Sequence, residues 1–168
     1  VDLGLVQRPG RLLQEFGGAG VEDFRYNAIV VDELQRAGAA AEAIAVSLQN
    51  DIVLPYRTDL TTPKQKQRWL PGVVTGDTVI GIVMTEPGAG SDMAAIRSKA
   101  IREGDEYVIN GQKVWSTRAV FADWVFCIFR TDPASDKHHG LSFIFVPLNA
   151  PGVTVRPIPQ LNGLPGFA

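Results

Sequence analysis

The 168-residue sequence changes its hydrophobic period once, near Asp77, so its two halves cannot be built from one kind of regular structure. Upstream, "VEDFRYNAIVVDELQRAGAAAEAIAVSLQN" sets Phe24, Ile29, Val30, Leu34, Ala41, Ile44 and Leu48 close to a helical period. With Asp23 as N-cap, this spacing predicts one long helix. The row "AGAAAEA" in its middle consists of small residues apart from Glu42, which predicts close packing against a second helix. In "TTPKQKQRWLPG", Thr62 as cap, Pro63 at the first helical position and Gln65 three residues beyond the cap form a capping box, and Pro71 is expected to stop the helix.

Downstream, "EGDEYVINGQKVWST" carries turn signals at Gly104-Asp105 and Asn110-Gly111 around the strand candidates "EYVI" and "KVWS". "TVIGIVM", "ADWVFCIFRTD", "GLSFIFVPL" and the proline-bounded "PGVTVRPIP" are further strand candidates, with no convincing helix among them. Strands that follow one another without intervening helices imply antiparallel pairing. The expectation is an α+β chain: an all-α N-terminal segment over residues 1–76, followed over residues 77–168 by an antiparallel β-barrel or sandwich-like domain.

Composition removes several classes of function. A hydrophobic share of 45% with 20% charged residues describes a globular protein, and a net charge of −2 gives no electrostatic footprint for nucleic acid. Cys127 is the single cysteine, so an internal disulfide framework or a cysteine-based zinc cluster is excluded, in keeping with a reducing compartment. The stretch "VDLGLVQRPGR" has no basic region followed by a long apolar core, and no apolar run reaches the length of a membrane span. A cytoplasmic location without a membrane span is the expectation.

The chemistry is concentrated in "MTEPGAGSDMAAIRSKA", residues 84–100, a loop between two strand candidates. "GAGSD" alone reads first as a tight turn, with an approach of phosphate to bare backbone amides as the alternative. It is not a dinucleotide-binding fingerprint, because Met93 occupies the place of the third glycine. Glu86 and Asp92 are read as loop-capping carboxylates rather than an acid/base pair. Adjacent His138 and His139 have no third ligand spaced for a metal, and Cys127, inside an apolar run, is expected to be buried and inert. Trp115 suits either a core position or a contact with a flat ligand.

Taken in order and spacing, "MTEPGAGSD", "GDEYVINGQKVWST", "ADWVFCIFRTDP" and "GLSFIFVPLNAPGVTV" resemble the acyl-CoA dehydrogenase family of flavoenzymes. "EFGGAGVEDF", "VVDEL" and "KQKQRWLPGVVTGD" resemble the end of that family's helical N-terminal domain, so the resemblance runs from Glu15 onward, while "LVQRPGRLL" departs from the pattern. It implies FAD as cofactor and dehydrogenation of an acyl-CoA thioester to the trans-2-enoyl-CoA. It also implies electron-transfer flavoprotein as acceptor and a homotetramer as the intact assembly. Ile82, Met84 and Thr85 would line the flavin, the last two at its pyrimidine edge. Gly90 and Ser91 would lie near the pyrophosphate, with Ser91 also close to the acyl-CoA. Trp115 would pack beside the ring, Ser116 would offer backbone groups, and Thr117 would offer a hydroxyl to the ring nitrogen that takes the hydride. "DPASDKHHG" reads as a solvated inter-strand loop, and the resemblance implies that it lies near the CoA moiety, where Lys137 and His138 would touch it. Arg118 stands where the family often has a small amide residue. The family's base is a glutamate on a C-terminal helical bundle, and no residue here matches it. The expectation is therefore an incomplete chain of the enzyme, with a noncatalytic flavin- or partner-binding chain, or an acyl-CoA oxidase, as alternatives.

Overall fold

The computed structural model describes residues 14–21 and 23–168, so "LVQRPGRLL" lies outside the described residues. The chain divides between Val79 and Ile80 into a helical unit and a β unit.

The helical unit contains α1, Arg25–Arg36, whose N-cap position is Phe24 rather than the expected Asp23; the Asp23 carboxylate, one residue earlier, accepts the Arg25 N–H at 3.0 Å. The single long helix is not formed. Gly38 takes a φ of +79° and closes α1: the N–H groups of Ala37, Gly38 and Ala39 turn back onto the carbonyls of Glu33, Gln35 and Leu34. Glycine reaches this left-handed conformation without the Cβ clash that would deter the flanking alanines. The chain resumes as α2, Ala40–Ser47, passes through a π-helical turn, Leu48–Val53, and continues as α3, Leu54–Asp59. The small-residue row thus forms a corner, and α2 packs against α1 with Ala43 fully buried. Asn27 on α1 donates to Asp51 in the π turn at 2.8 Å, tying the two ends of this corner together.

The next helix, α4, Pro63–Thr75, opens with the expected capping box: Gln65 N–H donates to Thr62 Oγ at 3.3 Å, and Thr62 N–H donates to Gln65 Oε1 at 2.9 Å. Pro71 does not end it. A proline in mid-helix removes one donor, and here the helix accepts that loss and runs on to Thr75, whose hydroxyl reaches the Pro71 carbonyl at 3.2 Å. Leu70 is fully buried, and the buried Arg57 guanidinium of α3 lies 5.4 Å from the Trp69 ring of α4. Burial lowers the Arg57 pKa to about 10.

The β unit has β1 Ile80–Val83, β2 Lys99–Glu103, β3 Glu106–Asn110, β4 Trp124–Arg130, β5 Leu141–Pro147, β6 Ile158–Pro159 and β7 Pro165–Phe167. Its main sheet is mixed, which corrects the antiparallel barrel or sandwich expectation. β1 runs parallel to β4 with Ile80 opposite Trp124, and β2 meets β4 in parallel through Lys99 and Arg130. The β2–β3 hairpin turns at Gly104-Asp105 as expected, and β4–β5 is antiparallel over all seven residues. "KVWS" forms no regular strand, and of "PGVTVRPIP" only Ile158–Pro159 pairs, with β7.

β4 is buried on both faces, which explains its continuous apolar run. Val125, Cys127 and Phe129 join Val83, Ala100 and Val146 in one core, while Ile128 packs with Ala89 and Ile96 in another. On the Ile128 side, Phe126 stacks on Phe143 with ring centroids 4.2 Å apart and leans on Phe145 at 5.2 Å.

Candidate functional site

The two sequence stretches singled out for chemistry meet at the end of β1. Ile82 forms an antiparallel bridge with Thr117, and Thr117 forms another with Phe167, so the 114–118 segment lies between β1 and β7. Val114 N–H donates to the Thr85 carbonyl at 2.9 Å, and Lys113 Nζ donates to the Met84 carbonyl at 3.0 Å. Gly81 permits this approach, because a Cβ there would come within 3.3 Å of both the Thr117 carbonyl and Val125. Ile82, Met84, Thr85, Trp115, Ser116 and Thr117 are therefore brought together.

Trp115 is 59% exposed and lies outside the core formed by the described residues. It makes an edge contact with Phe167, centroids 6.2 Å apart at 79°, and is held at a φ of +58°, with Arg118 at +63°. Bulky residues enter the left-handed region only where the surroundings enforce it. Here the enforcing bonds are Ser116 N–H to the Ala168 carbonyl at 2.8 Å and Arg118 N–H to the Gly166 carbonyl at 3.3 Å. The turn presents a large aromatic face to solvent on a fixed backbone. Ser116, expected to offer backbone groups, has them engaged: its N–H with Ala168, its carbonyl with the N–H groups of Ala168 and Ala119. Its side chain is buried.

The loop after β1 is shaped by its own carboxylates. Glu86 and Ala89 exchange backbone bonds of 2.8 and 3.1 Å, closing a tight turn. The Glu86 carboxylate accepts the N–H groups of Arg97 at 2.8 Å and Ser98 at 3.0 Å and the Lys113 ammonium at 2.8 Å. Desolvation works against its ionisation, but Lys113, Ser98 and the Arg97 N–H together outweigh it and hold the carboxyl down to about 2. Asp92 accepts the Ala94 N–H at 3.1 Å at the start of a short turn, Met93–Ala95. Both carboxylates thus have loop-capping bonds.

Gly90 and Ser91 lie exposed beyond this turn. A Cβ built on Gly90 would meet nothing within 4 Å, and its φ lies outside the left-handed region, so neither packing nor backbone conformation demands a glycine there.

Lys137 and His138 are exposed on the turn Lys137–Gly140. Arg130, at the end of β4, links this turn to the Ser91 loop: its guanidinium donates to the carbonyls of Ala94 at 2.9 Å, Ile96 at 3.2 Å and Lys137 at 3.3 Å. Ser91, Lys137 and His138 are thereby carried on one braced cluster of turns. Sequence reasoning missed Arg130 and Lys113 as organisers. Their only local signal is a cation at the edge of an apolar run.

A cavity of about 710 Å³ lies against the sheet, with Val83, Lys113, Cys127, Phe129, Val146 and Arg156 in its wall. Cys127 is buried, and desolvation pushes its thiol up to about 12, as an inert thiol requires. Among the described residues no group of three or more His, Cys, Asp or Glu side chains could hold a metal ion, and no helix is long and apolar enough to cross a membrane.

A helical unit followed by a mixed-sheet unit of this kind recurs in solved structures. The acyl-CoA dehydrogenase from Geobacillus kaustophilus superposes with a TM-score of 0.78 at 40% identity, over 83% of this chain and 36% of that one. A glutaryl-CoA dehydrogenase from Mycobacterium smegmatis, solved in complex with FADH2, gives 0.74 at 29% identity, over 94% of this chain and 38% of that one.

Residues 8–77 match the acyl-CoA dehydrogenase N-terminal domain and residues 81–168 the acyl-CoA dehydrogenase middle domain. The chain belongs to the acyl-CoA dehydrogenase family. The match begins at residue 8, which extends the likeness ahead of Glu15 into the segment that reads as a departure. Acyl-CoA dehydrogenase FadE26 of Mycobacterium tuberculosis is 37% identical over 153 residues, covering 89% of this chain and 37% of the relative. The chain thus spans well under half the length of the relatives it matches.

Proposed function

We propose that this chain forms the flavin-facing wall of an FAD-dependent acyl-CoA dehydrogenase, an enzyme that takes the α-proton and the β-hydrogen from an acyl-CoA thioester and leaves the trans-2-enoyl-CoA. The observation that carries this reading is the convergence, through the Ile82–Thr117 bridge and the Thr85–Val114 bond, of two stretches ending in an exposed, conformationally fixed Trp115. A solvent-facing indole on a rigid turn is built to lie against a flat ligand. FAD, when bound, supplies the acceptor for the hydride.

The chain's own residues divide the remaining work. Trp115 packs beside the ring and excludes water, and Ile82 adds an apolar contact at its base. Met84 and Thr85 meet the pyrimidine edge, and Thr117 directs its hydroxyl to the ring nitrogen. Gly90 leaves its backbone open to the pyrophosphate, with Ser91 adding a hydroxyl. Ser91, Lys137 and His138 meet the CoA side, braced by Arg130. Glu86 is not the base for the α-proton, since both its oxygens are occupied and its pKa is held near 2. The same reading takes electron-transfer flavoprotein as the electron acceptor, a homotetramer as the assembled state and the cytoplasm as the location.

The test is Thr117→Val in the intact, flavin-loaded enzyme that also carries the base for the α-proton. Loss of one hydrogen bond in a dry site, roughly 1 kcal/mol or more, slows stopped-flow bleaching of the flavin by acyl-CoA about five-fold or more. Unchanged bleaching removes Thr117 from the ring. Ser91→Ala is expected to weaken FAD retention, and full flavin occupancy in that variant counts against the loop's role.

A further inference from the structure

The Lys113 ammonium has three partners drawn from separate parts of the β unit. It donates to the Met84 carbonyl at 3.0 Å and to Glu86 Oε1 at 2.8 Å, and it lies 5.3 Å from the centroid of the Phe129 ring on β4. Its side chain and that of Glu86 are only 10% and 7% exposed, so this is a buried ion pair. Glu86 in turn collects the N–H groups of Arg97 and Ser98. One cation and one carboxylate therefore hold together the loop after β1, the segment before β2 and the segment leading to Trp115.

A buried ion pair is weak support for stability, because desolvating both ions offsets most of their attraction. Its best use is to specify an arrangement. The arrangement here is definite: Lys113 takes the Met84 carbonyl and its neighbour Val114 takes the Thr85 carbonyl. With both acceptors engaged, the Met84–Thr85 peptides cannot rotate without abandoning a charged or a backbone bond.

Resting on the flavin-binding reading above, we propose that Lys113 is a positioning residue: it locks the Met84 carbonyl inward and so fixes the backbone polarity that Met84 and Thr85 present to the flavin's polar edge. Glu86 holds the ammonium at that carbonyl. Neither residue touches the flavin, and each acts through the peptide it orients.

A double substitution separates positioning from stability, read by FAD dissociation constant, the visible absorption band of bound flavin and the melting temperature. Lys113→Met is expected to lower the melting temperature, because it strands a buried carboxylate. It also weakens FAD about ten-fold or more and moves the flavin band toward that of free FAD. Adding Glu86→Gln to Lys113→Met removes the stranded charge, so the melting temperature recovers. FAD affinity and the band do not, because the Met84 carbonyl still lacks its partner. Recovery of all three readouts in the double variant, or a wild-type band and affinity in Lys113→Met, overturns the proposal.

If neither variant folds, Lys113→Arg decides. It keeps a charge for Glu86 on a broader head that cannot repeat the single-point bond to Met84. Weakened FAD at a near wild-type melting temperature supports the assignment, and wild-type affinity defeats it. Should the unsubstituted protein take up no FAD at all, the flavin-binding reading itself fails, an outcome distinct from any variant's behaviour.

Discussion

Acidification provides a direct measure of what the Glu86 cluster contributes. The carboxyl has an ordinary pKa of 4.5 and is held to about 2 in the folded chain, a difference of about 2.5 pH units. At about 1.4 kcal/mol per unit, the folded chain favours ionised over protonated Glu86 by about 3.5 kcal/mol more than the unfolded chain does. With the side chain only 7% exposed, solvent screening takes little from this figure. Because the folded pKa is the lower one, the contribution is fully present above about pH 4.5 and is lost as pH falls through about 2. Between pH 5.5 and 3.0 the expected loss is about 2 kcal/mol. Other carboxylates titrate in the same range, so the comparison is with Glu86→Gln, which keeps them all and lacks only this titration. Urea unfolding of both proteins at the two pH values, followed by tryptophan emission, gives the four free energies needed. The gap between the two proteins should narrow by about 2 kcal/mol on acidification. A gap that stays constant within about 0.5 kcal/mol would refute the reasoning, since Glu86 would then titrate alike in the folded and unfolded chains.

Two further substitutions address packing and the helical unit. Phe126→Ala removes a ring that is 2% exposed and stacked on Phe143 at 4.2 Å, and should lower unfolding free energy in urea by about 3–5 kcal/mol; a loss under about 1.5 kcal/mol would mean that the β4–β5 aromatic cluster collapses around the gap. Pro71→Ala restores a helical donor at an exposed position of α4 and should raise stability by about 1 kcal/mol or more, read as an increased melting temperature; a decrease would show that the proline ring makes a contact worth more than the missing bond.

How much of this was legible in the sequence follows from how far apart the determining residues lie. The capping box at Thr62–Gln65 and the turn at Gly104-Asp105 are decided by a few consecutive residues, and both appear as read. The break at Gly38 had its signal in plain view, but the alanines on either side favour a helix so strongly that the period reads as continuous. Pro71 misled in the opposite direction, because one lost hydrogen bond does not outweigh the packing around Leu70. The parallel pairing of β1 with β4 could not be read locally, since an apolar alternation is the same whichever way the neighbouring strand runs. In the site, the motif residues were recognisable as strings, while Lys113 and Arg130 were not. Their importance comes from carbonyls contributed by remote segments, and a carbonyl has no letter in the sequence.

The position of β4 at the centre of its sheet also governs how this unit emerges during synthesis. β2 and β3 are joined by two residues and can pair as soon as they clear the ribosome, but β1 has to wait for the stretch from Trp124 onward, made some forty residues later. At about 5–20 residues per second that interval is roughly 2–8 seconds. During it the apolar "IGIV" segment of the nascent chain lacks its β4 partner and presents an unpaired strand edge.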